Sequence, residues 1–564
     1  MREIWSLIPK EYRRGCLKVA ALVPVSAILN LVGVAVLIPV MMLVVDAEKL
    51  KASFLGRAAQ WLDISISDDF SVFVIIAVLA VLMLKSVLAI LISNYQSRFL
   101  LSLYRNLSSS LFVALYSRGL VYIKNHNSAR MAFNVTGVCS HFVTGYLGGW
   151  MGLVGEIAFI LLLFAAMLVY SVKATLMALC SFIPVMVLYL LAVRKPLKEM
   201  SAKENEIRRE QNRLLYETFR GYSEVQVNDA FPIIHQRFSR GLSDISSYQI
   251  KMRLLSSIPS YLLELSVLVV VGVMLMFSVK VTGTDNMVFL GVFAVALLKL
   301  LPAAKSVVGA ISALNATAYT KEVIADIKAP TMFTAIHDSD VPAMEFNSSI
   351  EVRNVSFQFE DDDKPVFENL SFNIHKGCRF GIKGRTGSGK TTLFNILLGL
   401  YQPVSGEVLI DGTPLTADNI ASWHKSIGYV PQDVFVADES ILENVALGMD
   451  KSQIDREKAM RVLEQASLGD FVRSLPNGID TMKGEAGAKM SGGQRQRLGI
   501  ARALYKDANV LFFDEATSSL DTQTEREVNE AIQKLSDTHK ELTIIVISHR
   551  DSTLSFCDEI LQMP

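Results

Sequence analysis

The sequence predicts a multidomain chain: an all-α half of six membrane helices with long cytoplasmic helix extensions, followed by an α/β half. Three observations carry this reading. Six long apolar runs lie before residue 308. Two long links between them are polar and rich in Lys and Arg. From Glu345 onward, short apolar strands alternate with helical stretches, the pattern of a mostly parallel sheet covered by helices.

Composition sets the limits. The 564 residues exceed one ordinary domain. Lys+Arg and Asp+Glu are 55 each, so the net charge is zero, which argues against a nucleic-acid partner held by bulk charge. Hydrophobic residues make up 51% and mean hydropathy is +0.35, so disordered and disulfide-scaffold classes are excluded. Cys16, Cys139, Cys180, Cys378 and Cys557 are scattered without a CxxC pair and read as small buried side chains.

The apolar runs are Leu17–Val45, Ser71–Ser93, Leu147–Tyr170, Ala174–Val193, Tyr261–Val281 and Met287–Leu301, the last extended by its flank to Val307. Each then approaches the ~20 residues that cross a ~30 Å hydrocarbon core. The links Asn94–Tyr146 and Arg194–Ser260 carry Arg98, Arg105, Arg118, Arg130, Arg194, Lys195, Lys198, Arg208 and Arg209. The positive-inside rule places them, with the N-terminus, in the cytoplasm. The first run is too long for a signal h-region, so no removed leader is expected. Met1–Arg14 reads as an amphipathic elbow. Ala47–Leu62 reads as a short external helix in the membrane interface, with Phe54, Leu55, Ala58, Trp61 and Leu62 opposite Lys49, Lys51 and Arg57. The expected division is 1–325 membrane domain, 326–344 linker and 345–564 soluble domain.

The soluble half contains Gly384-Arg385-Thr386-Gly387-Ser388-Gly389-Lys390-Thr391, which fits G-x-x-x-x-G-K-[ST] between the strand Arg379–Ile382 and the helix Thr391–Leu398. Backbone N–H groups of such a loop wrap phosphate oxygens, and the helix N-terminus adds its dipole. Lys390 is expected at the β/γ-phosphates and Thr391 at Mg²⁺, with Thr392 completing the nucleotide-binding run. This makes the second half an α/β P-loop nucleotide-binding domain with ATP and Mg²⁺ as its ligands. The strand Val510–Phe513 runs into Asp514-Glu515: Asp514 is placed to hold Mg²⁺ and Glu515 to polarise the attacking water. Ser491-Gly492-Gly493-Gln494 opens a helix and offers a second anion-binding start. One chain with its own phosphate loop has no use for two, so the nucleotide is expected to be shared between two chains.

At this point the sequence resembles the ATP-binding cassette (ABC) transporters over essentially its whole length. The signature reads Met490-Ser491-Gly492-Gly493-Gln494, with Met for the usual Leu. The resemblance implies further roles: Phe359 stacking on adenine, Gln432 linking Mg²⁺ and water to the membrane domain, and His549 contacting the γ-phosphate. It also places Gly484-Glu485 against coupling helices and gives Ser519-Leu520-Asp521 as the loop that crosses to the other cassette. Catalysis would thus rest on Glu515, His549 and Gln432, and the metal on Thr391, Gln432 and Asp514. Six helices before one cassette resemble an exporter half-transporter, with coupling elements near Val121–Ala129 and Gly221–Asp229. The resemblance further implies a homodimer in a bacterial inner membrane, no N-terminal peptidase domain, and a family chain that usually continues past Pro564.

Lys85, Lys299 and Lys305 lie within or at the end of the second and sixth runs, and Glu264 within the fifth. Ser71 to Lys85 is 14 steps, about 21 Å, and Met287 to Lys299 is 12 steps, about 18 Å, so these two amines sit at similar depth. Charged groups there face a cavity or a partner; snorkelling, or pairing with Glu264, are the alternatives. Among exporters, the run 296–305 is most similar to the lipid-linked oligosaccharide flippase of N-glycosylation, which has Arg at the two basic positions and at the position of Ser260. The expected cargo is an amphipathic, anionic lipid-linked glycan. A general lipid, drug or peptide exporter is the alternative reading.

Overall fold

The computed structural model describes residues 2–45, 50, 69–170, 172, 175–176, 179, 183–184, 187–278, 284–328, 341–359, 364–482, 490–515 and 522–563. The external helix expected near 47–62, apart from residue 50, together with Gly484-Glu485, Ser519-Leu520-Asp521, most of the fourth span and Cys180, therefore lies outside the described residues. The chain divides into two compact units: 1–114 with 128–329, and 115–127 with 330–564. Residues 115–127, expected inside the membrane domain, thus group with the cassette.

Unit one is helical. Among the described residues, Lys10–Val40, Phe70–Tyr116 and His141–Val169 are long and apolar enough to cross a membrane. The fifth expected span lies in the helix Phe231–Ser278 as far as residue 278, beyond which it is outside the described residues, and the sixth lies within Thr284–Thr317. Asp69–Tyr116 and Phe231–Ser278 each have 48 residues, about 72 Å at 1.5 Å per residue. That is more than twice the hydrocarbon thickness, so the polar links are continuations of the spans, as the sequence suggests.

Two prolines reshape the N-terminal reading. The expected elbow is split: Arg2–Leu7 is one helix, and Pro9 caps a second that begins at Lys10. That helix ends at Ala35 and a new one runs Leu37–Val45, so the first run is not one continuous helix. Pro39 has no N–H to give the carbonyl of Ala35, which favours a break there. The link before the third span also departs from a regular α-helix: Asn134–Val138 and His141–Leu147 are π-helical. There Gly149 lets the backbone approach the sixth-span helix, since a Cβ would lie 3.2 Å from Leu314 Cγ.

Ala27, Val34, Phe159, Leu163, Leu300, Ala303 and Val307 form a shared core of the first, third and sixth spans. Val72, Ile76, Met83, Leu84 and Ile90 remain exposed on the second. Burying these in lipid replaces the tertiary core such a surface would otherwise need.

Unit two carries two sheets. β1 (Ser349–Phe357), β2 (Phe367–His375), β4 (Ser405–Ile410) and β5 (Thr413–Pro414) form an antiparallel sheet in the order β2-β1-β4-β5. β3 (Arg379–Lys383), β6 (Ile427–Val430), β7 (Val510–Asp514), β8 (Thr543–Ile547) and β9 (Glu559–Gln562) form a parallel sheet in the order β6-β7-β8-β3-β9. The short apolar strands expected in one mostly parallel sheet therefore divide, and β1 and β4 belong to a separate antiparallel layer in which they are only partly buried, as antiparallel strands can be. β7 and β8 are buried along their whole length, as central parallel strands are. Trp423, fully buried, donates Nε1–H to the carbonyl of Leu397 at 2.9 Å. It thereby ties a C-terminal carbonyl of the phosphate-loop helix to the core. Burial pushes the thiols of Cys139, Cys378 and Cys557 up to about 11, which keeps them protonated and unreactive.

Candidate nucleotide site

The site follows from strand order. β7, β8 and β3 are consecutive neighbours and run parallel, so their C-terminal ends open on one edge. In such sheets ligands bind at that edge. Asp514 ends β7, His549 follows β8, and the loop 384–389 follows β3.

The loop turns into the helix Lys390–Leu397 through Gly387 and Gly389, with φ of +87° and +86°. Both values lie where only glycine is unstrained. A Cβ at Gly389 would also stand 2.5 Å from Val366 Cγ1. Lys390 is buried, and its Nζ donates to the carbonyls of Gly384 at 3.0 Å and Arg385 at 2.9 Å. Burial pulls its ammonium down from the ordinary lysine range, and Glu515 and Asp514 push it back up. Ser388 Oγ is buried with no hydrogen-bond partner in the structure. An orphaned hydroxyl inside a phosphate loop fits an incoming phosphate oxygen. Phe359 stands edge-on to Phe357 and Tyr401, at 5.0 and 6.0 Å between ring centroids.

Asp514 is largely buried, and desolvation with the adjacent Glu515 pushes its carboxyl up to about 6. Lys124, Lys390 and a hydrogen bond from Tyr429 pull it back. A buried carboxylate beside a second acid favours a cation, and Asp514 with the Thr391 hydroxyl would offer hard oxygen ligands of the kind Mg²⁺ takes. Glu515 adopts φ +44°, a left-handed conformation that costs about 1–3 kcal/mol for a non-glycine residue. Its N–H donates to the Ile547 carbonyl at 3.0 Å, and its Oε1 lies 2.7 Å from His549 Nε2. The backbone therefore holds this carboxylate in place, and the imidazole orients it.

Sequence reasoning missed several residues around these. Glu525 is buried, ion-paired with Arg550, and accepts the Ser552 hydroxyl at 2.8 Å. It fixes the segment that carries His549. Gln496 donates Nε2–H to the Gln432 carbonyl at 2.5 Å, joining the helix after the signature to that loop. Lys124 lies on Gly119–Asn125, whose Leu120 packs on the core of β1, β3 and β7. Each is a common residue type in an unremarkable local pattern. Only Glu525, an acid in the first turn of the helix Thr522–Thr538, gave a faint signal.

The matching families carry the descriptions "ABC transporter", at residues 367–518, and "ABC transporter transmembrane region", at residues 47–300. The "ATP-dependent lipid A-core flippase" of Pseudomonas fluorescens is 31% identical over 470 residues, 82% of this chain and 76% of that one. This chain belongs to the ABC transporter family. The transporter is also 27% identical, over 88% of its length and 82% of the relative's, to the protein of the same name from Burkholderia orbicola. With the Photobacterium profundum protein of that name it shares 42% identity, over 38% of its length and 36% of the relative's. A solved bacterial Atm1-family ABC exporter with ATP bound matches at TM-score 0.71 and 21% identity. That match covers 98% of this chain and 93% of the other. The fold is that of an ABC exporter, and the chain is a membrane protein whose ATPase is coupled to transport. These relatives are named for lipid A-core, not for the lipid-linked oligosaccharide of N-glycosylation that the run 296–305 suggested.

In the transporter's signature, Ser491 caps the helix Gly492–Tyr505. Its Oγ accepts from Gln494 N at 3.2 Å, and Gln494 Oε1 accepts from Ser491 N at 3.0 Å. Gln494 thus closes a capping box, and Met490 is buried as a core residue. Lys85 lies over Gly33, where a Cβ would stand 3.4 Å from Lys85 Cε. Lys299, Lys305 and Glu264 are exposed, and no ion pair joins these four among the described residues.

Proposed function

We propose that two copies of this chain form a homodimer that uses ATP to flip an anionic, phosphate-bearing glycolipid across a bacterial inner membrane. The observation that carries this is the likeness to lipid A-core flippases over most of the chain, together with basic residues at depth in the spans. Lipid A-core and a lipid-linked oligosaccharide share the same recognisable chemistry, a charged sugar headgroup on an apolar anchor. The names of the relatives favour lipid A-core.

In this reading Phe359 stacks on adenine, and the amides of Gly384 through Gly389, with Ser388, Lys390 and Thr392, hold the phosphates. Thr391, Asp514 and Gln432 would hold Mg²⁺, which neutralises charge on the β- and γ-oxygens. Glu515 orients the attacking water and accepts its proton, and His549 holds that carboxylate and reaches the γ-phosphate. The other face of the nucleotide is met by Ser491, Gly492, Gly493 and Gln494 of the second copy, with the Ser491 helix start aimed at the γ-phosphate. Neither chain then completes a site alone.

Lys85, Lys299 and Lys305 attract the headgroup phosphate while the acyl chains stay in the bilayer. Lys85→Ala/Lys299→Ala is expected to lose stimulation of ATPase by lipid A-core and keep basal ATPase, because the cassettes are untouched. The measurement is ATPase activity in nanodiscs titrated with lipid A-core and, separately, with a lipid-linked oligosaccharide. Undiminished stimulation of the folded double variant removes the lysines from recognition. Stimulation by the oligosaccharide alone moves the cargo to that class.

A further inference from the structure

A cavity of about 290 Å³ lies within unit one between the helices Lys10–Ala35, Asp69–Tyr116 and Gly148–Tyr170. Its walls are polar for a membrane-embedded site: Ser26, Asn30, Ser93, Gln96, Ser97 and Glu156. Gly148, Gly152 and Gly155 line the third-span side, and a Cβ at Gly152 would meet nothing within 4 Å. The space is therefore open at the helix surface and not filled by neighbouring side chains.

Glu156 decides what this cavity takes. It is nine residues past the start of the third span at Leu147, about 14 Å in from the cytoplasmic end, at the inner-leaflet side of the middle of a ~30 Å core, and the cavity runs from Gly148 at that end down to it. Ser93, Gln96 and Ser97, at and just beyond the cytoplasmic end of the second span, line the same cavity, so its mouth lies at the cytoplasmic boundary. Glu156 accepts a hydrogen bond from Ser306 of the sixth-span helix, and no ion pair reaches it among the described residues. A carboxylate held in a span without a cation is costly unless a ligand supplies one. Its neighbours are amides and hydroxyls, which can accept further N–H bonds. The volume lies at the lower end of ligand pockets, roughly 300–1,000 Å³, and suits a small headgroup.

We propose that this cavity binds a primary ammonium group at inner-leaflet depth. Glu156 takes the charge, and Asn30, Gln96 and the serines take the remaining N–H donors. The ammonium can come from an aminophospholipid headgroup such as phosphatidylethanolamine, or from a soluble amine. A primary ammonium has three donors, whereas the quaternary ammonium of phosphatidylcholine has none, so the site distinguishes the two lipids. This inference stands apart from the phosphate-recognition reading, since it uses neither Lys85 nor Lys299.

The test is native mass spectrometry of the full-length protein, counting retained phosphatidylethanolamine against phosphatidylcholine of matched chains. The wild type is expected to prefer phosphatidylethanolamine. Glu156→Gln is expected to lose about tenfold or more in that preference, as loss of one charge-assisted hydrogen bond implies. Glu156→Asp, which restores the charge, is expected to recover part of it. Basal ATPase equal to wild type shows that both variants are folded. Displacement of the lipid by ethanolamine in solution assigns the soluble amine as the source; resistance to it assigns the lipid. Equal retention of the two lipids by the wild type, or an unchanged preference in Glu156→Gln, overturns the proposal.

Discussion

Glu515→Gln is expected to bind ATP with near-normal affinity and to hydrolyse it roughly 10²–10⁴-fold more slowly, the range for loss of a positioned general base. The substitution is nearly isosteric. The amide oxygen can still accept from His549, whose Nε2 lies 2.7 Å from Glu515 Oε1, and the left-handed backbone at this position is unchanged. What is lost is the negative charge that orients water and accepts its proton. ATP held between two cassettes without turnover should accumulate, so the variant is expected to trap a closed dimer. Phosphate release and nucleotide occupancy, measured on the same purified sample, check both halves. Hydrolysis near the wild-type rate would remove Glu515 from the role of base.

The next largest effect concerns which chain completes each site. Lys390→Ala removes the ammonium from a phosphate loop whose carbonyls it also holds at 2.9–3.0 Å. Ser491→Arg replaces the cap of the helix Gly492–Tyr505 and fills the space before it. Either homodimer then has two defective sites and is expected to hydrolyse almost no ATP. In a mixed dimer, the site built from the altered Lys390 and the altered Ser491 carries both lesions. The other site carries none. The mixed dimer, isolated with two different affinity tags, should retain a measurable fraction of wild-type ATPase activity. Activity no greater than that of either homodimer means that the Ser491 and Lys390 of one nucleotide lie on the same chain.

How much of this was legible depends on where each signal resides. The phosphate loop, Asp514-Glu515 and the signature are contiguous runs whose function depends on backbone conformation, so spacing alone carries them. The apolar character of the first three spans was legible because lipid imposes a uniform apolar requirement over ~20 residues. The break at Val36 was missed because Pro39 sits in an apolar run that still reads as continuous. The antiparallel layer was missed because β1 and β4 are only half-buried in a way that local sequence does not fix. Glu525, Gln496 and Lys124 act across 25 to several hundred residues, and nothing local marks them. Glu156 was overlooked in an apolar run, although its charge is as anomalous there as that of Lys85. The cavity that gives it meaning is formed only when three helices pack.

ATP turnover by this chain is expected to move a phosphate-bearing glycolipid between leaflets. The most direct measurement is a proteoliposome assay with fluorescent lipid A-core, scoring the label that becomes protected from a membrane-impermeant quencher. Wild-type protein with Mg-ATP is expected to move the label, and Glu515→Gln under the same conditions is expected not to. No ATP-dependent movement by wild-type protein that hydrolyses ATP, or equal movement by wild type and Glu515→Gln, would contradict the account.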